Sequence, residues 1–116
     1  MPHLPVGGAT PRITVDLLEL SPSAAVFTTT GGLDLATEKV FRDALEDAVG
    51  RADTIVVDLC GVTFMGSVAV PIIVNVLKGL STKQAFKLVT GRTADMVLRM
   101  LGMNAVLDCF PCRSSL

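Results

Sequence analysis

Three groups of side chains in this chain have the types and spacing to do chemistry. The first is Ser67, within the stretch Val57–Leu80 (VDLCGVTFMGSVAVPIIVNVLKGL). A buried strand (Ile55-Val56-Val57-Asp58-Leu59) turns through Gly61 and hands over to a very apolar helix, with Ser67 at the junction. Backbone N–H groups at a helix start are unpaired and carry partial positive charge. A hydroxyl held there caps the helix, and a phosphate held there is an anion in a favourable field. Phosphate adds about −1.5 to −2 charge, which changes binding through repulsion and desolvation. Ser67 is therefore read as an N-cap, as the switch of a binding module, or as both. The second group is Asp34, after Gly31-Gly32 and before a helix. It suits turn and capping chemistry, and equally a partner surface near Ser67, because both follow the C-terminal ends of parallel strands, where such sheets bind ligands.

The third group is Cys60, Cys109 and Cys112. Cys109-Phe110-Pro111-Cys112 is a CxxC, which in thioredoxin-like proteins opens a helix after a strand; here Arg113-Ser114-Ser115-Leu116 follows it. A small thiol–disulfide oxidoreductase using Cys109 and Cys112 is thus the enzymatic alternative. Three cysteines make no disulfide framework, and a Cys60–Cys109 bridge would have to span two strands, which is too far. The expectation is small buried or tail thiols in a reducing compartment, with redox regulation as the lesser reading. No further metal ligands lie near the CxxC, so no metal and no cofactor are expected.

Composition narrows the function classes. The 116 residues suit one domain, and half of them are apolar, enough for a sizeable core. The net charge is −1, with Lys and Arg scattered. Trp and Tyr are absent, and nucleic acid is not expected as a partner. The single histidine, His3, lies in a Pro/Gly-rich stretch, which leaves the body without an imidazole for general-base, triad or metal work. No run reaches the about 18 apolar residues of a membrane helix, and no basic-then-apolar leader opens the chain. The expected location is the cytoplasm, away from the membrane.

The elements that must position these groups follow from periodicity. Residues 1–12 read as a flexible arm, 13–111 as the domain and 112–116 as a tail. Ile13–Leu20 alternates with period two, Ser21-Pro22-Ser23 turns, and Ala24–Thr30 returns as the second strand of a hairpin. Gly31-Gly32 breaks that strand. A helix from about Thr37 to Val49 has Val40, Phe41, Ala44, Leu45, Ala48 and Val49 spaced for one buried face, with Thr37 as N-cap and Gly50 as stop. Thr54–Leu59 has the continuous apolar pattern of a central strand covered on both faces. A second helix spans about Ser67–Leu80, with Pro71 either its fifth residue or its first turn. Ala85–Thr90 is a strand, Thr93–Leu101 a helix and Ala105–Phe110 a last strand. The order β-β-α-β-α-β-α-β implies an α/β fold with a mostly parallel sheet, strands in chain order and an antiparallel N-terminal edge strand. On the second helix, Val70, Ile73, Val74 and Leu77 are expected to face the sheet. Val68, Ile72, Val76 and Gly79 form a second apolar stripe beside Ser67, read as a docking strip.

Three segments in order resemble one family. Gly32-Leu33-Asp34-Leu35-Ala36-Thr37 resembles the GELDLATA-type segment of STAS domains of anti-sigma factor antagonists. Val57-Asp58-Leu59-Cys60-Gly61-Val62-Thr63-Phe64-Met65-Gly66-Ser67 resembles their VDLSGVTFMDSSG segment, and residues 97–107 their "vLeltGLdrvl" segment. The resemblance covers roughly Ile13–Pro111. It implies a STAS fold and a non-enzymatic partner switch that binds an anti-sigma factor, an ATPase-type serine kinase, and so frees a sigma factor for transcription. It places the phosphoacceptor on Ser67 and the loop aspartate on Asp34, with a serine phosphatase restoring binding. Gly66, Ser67, Val68, Ile72 and Val76 together with Asp34 are the expected partner surface. The family's Asp-Ser-Ser-Gly is here Gly66-Ser67-Val68-Ala69. A divergent, unphosphorylated relative acting as a constitutive or redox-gated module or scaffold is the second reading.

Overall fold

In the computed structural model, which describes residues 13–21, 23–105 and 107–112, five strands pair in chain order. Strand β1 (Ile13–Ser21) runs antiparallel to β2 (Ala24–Leu33). Strands β3 (Thr54–Met65), β4 (Ala85–Thr90) and β5 (Cys109–Pro111) follow in parallel. Helices α1 (Glu38–Val49), α2 (Ala69–Lys78) and α3 (Arg92–Met100) form the crossovers. Both the element order and the antiparallel edge strand match the sequence expectation. The expected arm at 1–12, Pro22 of the first turn and tail residues 113–116 lie outside the described residues.

The core forms on one face of the sheet. Phe27, Val57 and Leu88 stand in register across β2, β3 and β4 and are fully buried. Ala25, Ile55 and Phe86 form the row beside them. Phe41 and Leu45 of α1, Ile73 of α2 and Leu98 of α3 complete the same cluster, with the Phe27 and Phe41 rings 5.9 Å apart. On the opposite face Val56 and Asp58 stay half-buried, so β3 is not a strand covered on both faces as its apolar run suggested. In β1, Ile13, Val15 and Leu17 pack on the core as their alternation predicts.

Two boundaries differ from the sequence reading in a way that builds the site. β2 does not break at Gly31-Gly32 but runs to Leu33, and β3 runs through Gly61 to Met65. Their ladder is irregular between Thr28 and Thr30 and between Gly31 and Gly32, and at each point β3 carries one extra residue. Such bulges bend a strand and re-aim its side chains. Gly31 accommodates this with φ 104°, and Gly61 lies so close to Thr30 that a Cβ would collide with the Thr30 side chain.

The last strand begins later than its apolar run implied. Met103–Ala105 form a 3-10 turn and Leu107 is buried in the core. The sheet is rejoined when Leu88 N–H donates to the Asp108 carbonyl at 2.9 Å. Leu107 thus serves the core rather than the ladder.

Thr29, on the buried face of β2, has the one buried side-chain oxygen without a hydrogen-bond partner among the described residues. A buried unsatisfied hydroxyl costs about 1–3 kcal/mol. Thr29→Val keeps the branched shape and removes that oxygen. It is expected to raise unfolding stability by about 1 kcal/mol, read as a higher urea midpoint at unchanged slope.

Candidate functional site

The extended ends of β2 and β3 lie side by side and carry the site. The Gly66 N–H donates to the Leu33 carbonyl at 2.7 Å, which fastens the turn before α2 to the end of β2. A Cβ on Gly66 would stand 3.3 Å from that carbonyl and 3.9 Å from the Asp34 Cα. Asp34 and the Gly66-Ser67 turn are therefore neighbours, as their positions after parallel strands implied.

Asp34 performs the turn chemistry expected of it. Its Oδ1 accepts hydrogen bonds from the N–H groups of Ala36 at 3.0 Å and Thr37 at 3.1 Å. The Thr37 hydroxyl in return accepts from Asp34 N–H at 3.0 Å and donates to the Gly32 carbonyl at 2.7 Å. This reciprocal arrangement has the logic of a capping box and holds the loop ahead of α1. Thr37 occupies the N-cap position, but its side chain faces back into this loop instead of capping the helix.

Ser67 does not cap α2. The helix starts at Ala69, and its N-cap, Val68, has helical φ and ψ with no side-chain capping bond. The Gly66 and Ser67 carbonyls accept from Ala69 N–H at 3.1 Å and Val70 N–H at 3.3 Å, so backbone alone closes the first turn. Pro71 is the third helical residue, where the missing N–H would have had no intrahelical partner anyway. The Ser67 side chain is exposed, and its hydroxyl makes no hydrogen bond with another described residue.

The expected docking strip on α2 requires correction. Ile72 and Val76 are 5% and 8% exposed and belong to the core with Ala69 and Ile73. Helix α1 packs against this side of α2, and Val76 lies beside Glu46 and Val49 of α1. The half-buried stripe is Val70, Val74 and Leu77. Of the residues grouped as a partner surface, the fold keeps Asp34, Gly66, Ser67 and Val68 together and withdraws Ile72 and Val76 into the interior.

Two apolar residues that sequence reasoning missed replace that strip. Leu35 and Phe64 are 76% and 55% exposed. The Phe64 ring reaches within 3.5 Å of the position a Gly66 Cβ would take, so it flanks the turn bearing Ser67. Only the bulges in β3 put Phe64 outside while Val62 and Met65 point in. Plain alternation has no signal for this.

The cysteines also differ from expectation. Cys60 and Cys112 form a disulfide with Cα atoms 5.7 Å apart, and Cys109 is free and half-buried. The three are therefore not all thiols, and Cys109 and Cys112 are not a redox pair. β4 ends at Thr90, opposite Leu59, which lets the C-terminal segment cross over that end to reach Cys60. Cys112 N–H donates to the Thr90 carbonyl at 3.1 Å, and Gly91 lies so close to Cys60 that a Cβ would stand 3.0 Å from its carbonyl oxygen. Lys87 helps hold the segment, pairing with Asp108 at 3.1 Å and lying 5.4 Å from the Phe110 ring centroid. Among the described residues no three His, Cys, Asp or Glu side chains group as a metal site would need. No helix is long and apolar enough to cross a membrane.

The five-stranded sheet has an antiparallel edge and carries an exposed serine near exposed apolar side chains at its parallel strand ends. The chain belongs to the STAS domain family, whose model matches residues 17–116. Its fold is similar to that of an anti-sigma factor antagonist from Mycobacterium paratuberculosis. That likeness has a TM-score of 0.80 at 22% identity and covers 89% of each chain. It is similar also to the anti-sigma factor antagonist SpoIIAA in its unphosphorylated form, with a TM-score of 0.69 at 16% identity over 88% of this chain and 90% of that one. For the Bacillus cell fate determinant SpoIIAA in the phosphorylated form the TM-score is 0.63 at 17% identity, over 88% and 94%. No curated protein matches the chain.

Proposed function

We propose that this protein is an anti-sigma factor antagonist acting by binding, without catalysis of its own. Its partner is an ATPase-type serine kinase that holds a sigma factor; capture of the kinase frees the sigma factor in the cytoplasm. Phosphorylation of Ser67 by that kinase ends the capture, and a serine phosphatase restores it. The observation that carries this reading is the exposed Ser67 hydroxyl, unengaged by the helix it precedes, in the turn whose Gly66 neighbours Asp34 and Phe64. A phosphate there would add negative charge to an exposed turn that adjoins Asp34 and the apolar Phe64 ring, which opposes docking through repulsion and desolvation. That SpoIIAA, a protein of the same fold, has a phosphorylated form supports the same view.

The test is an affinity capture from the native cell with wild type, Ser67→Ala and Ser67→Glu as baits. An ATPase-type anti-sigma factor is expected with the first two and not with the third. Equal retention by all three baits would remove Ser67 from the mechanism.

One observation favours a second reading. The Cys60–Cys112 disulfide ties the C-terminal segment to β3, the strand that leads into the Gly66-Ser67 turn, as a redox-gated module would require.

A further inference from the structure

A cavity of about 600 Å³ opens between α3 and β5, away from Ser67. Its lining includes Arg92, Arg99, Asn104, Cys109, Phe110 and Cys112. This volume falls among small-molecule pockets, about 300–1,000 Å³. Of the two disulfide partners, Cys112 lines it and Cys60 does not. Arg99 is held by Asp95 at 2.8 Å, but Arg92 pairs with no acidic side chain among the described residues.

We propose that this cavity is a thiol–disulfide exchange site, at which a low-molecular-weight thiol bearing carboxylates attacks Cys112 and opens the Cys60–Cys112 bond. The incoming thiolate forms a bond to Cys112 Sγ, and Cys60 Sγ leaves as a thiolate and takes a proton from water. A second small thiol then displaces Cys112 and departs as the small-molecule disulfide. Two small thiols are oxidised, and one protein disulfide is reduced to two thiols. Arg92 draws the carboxylate, and the position of Cys112 on the wall selects it over Cys60 as the sulfur attacked.

The free thiol in the same cavity does not take this role. Burial first, then the charges of Asp95 and Asp108, push the Cys109 thiol up and leave it protonated and weakly nucleophilic. Along extended chain, residues three apart are separated by about 10 Å, beyond the roughly 7 Å that a disulfide spans. Cys109 therefore cannot pair with Cys112 where the two now stand, and the electrons must come from outside.

The experiment incubates the oxidised full chain with glutathione, or with cysteamine at matched thiolate concentration. Each reaction is quenched with iodoacetamide, and the modified cysteines are mapped by mass spectrometry. Expected is glutathione on Cys112 with Cys60 alkylated, formed at least fivefold faster than the cysteamine adduct. The exposed substitution Arg92→Gln should abolish that preference while leaving the thermal midpoint unchanged. An adduct on Cys60, a disulfide that glutathione does not open, or equal rates for both thiols with no effect of Arg92→Gln would overturn the proposal.

Discussion

Reducing the Cys60–Cys112 disulfide is expected to lower unfolding stability by about 4 kcal/mol. The bond closes a loop of sequence separation 52 that contains α2, β4 and α3. Loop-closure entropy removed from the unfolded chain grows with the logarithm of loop length and comes to roughly 4 kcal/mol at this length. The tethered segment is short: β5 has three residues at the sheet edge, with Phe110 and Pro111 exposed. For a domain of this size the loss corresponds to about 10–20 °C in thermal midpoint. The comparison is urea unfolding of oxidised and reduced protein in a Cys109→Ser background, which prevents disulfide exchange with the third cysteine. A loss below about 1 kcal/mol would mean that the C-terminal segment is anchored without the bond.

Phe64→Ala is expected to weaken binding to the anti-sigma partner by about 2 kcal/mol, roughly 30-fold, with little effect on stability. Large aromatic side chains at the centre of an interface carry losses of this size. At 55% exposure the ring contributes little to the core that truncation could remove. Leu35→Ala, at the exposed residue after Asp34, should act in the same direction and less strongly. Leu18 is the control, since it is 59% exposed but lies on β1 opposite Val26, toward the far end of the sheet. Leu18→Ala should leave affinity unchanged. Titration calorimetry with each variant distinguishes the outcomes, and equal losses at Leu18 and Phe64 would mean that the partner does not dock at the strand ends.

The fold was legible because its main signals are periodic and local. The alternation of Ile13, Val15 and Leu17 and the spacing of Phe41, Leu45 and Ala48 each specify an element and its buried side, and the run Thr54–Leu59 specifies a central strand, though not that only one of its faces is fully buried. Their order leaves few topologies, because parallel crossovers share one hand. The site was legible only in part. Asp34 and Ser67 follow parallel strands, and that alone brings their loops together. What periodicity could not carry is the two extra residues in β3. They extend the strand to Met65, turn Phe64 outward and move the start of α2 past Ser67 to Ala69. The burial of Ile72 and Val76 depends on where α1 lies, a contact between distant segments. The disulfide was missed for a related reason. Counting strands placed Cys60 too far from the last one, but a chain that crosses over the end of β4 at Gly91 does not have to span it.

The most direct measurement of the central claim is the affinity of the purified protein for its kinase partner before and after the kinase has acted on it. The site of phosphate addition is mapped in the same sample. The account predicts phosphate on Ser67 alone and a dissociation constant raised at least 100-fold, about 2.7 kcal/mol. Phosphate on another residue, or an unchanged dissociation constant with Ser67 fully phosphorylated, would contradict it.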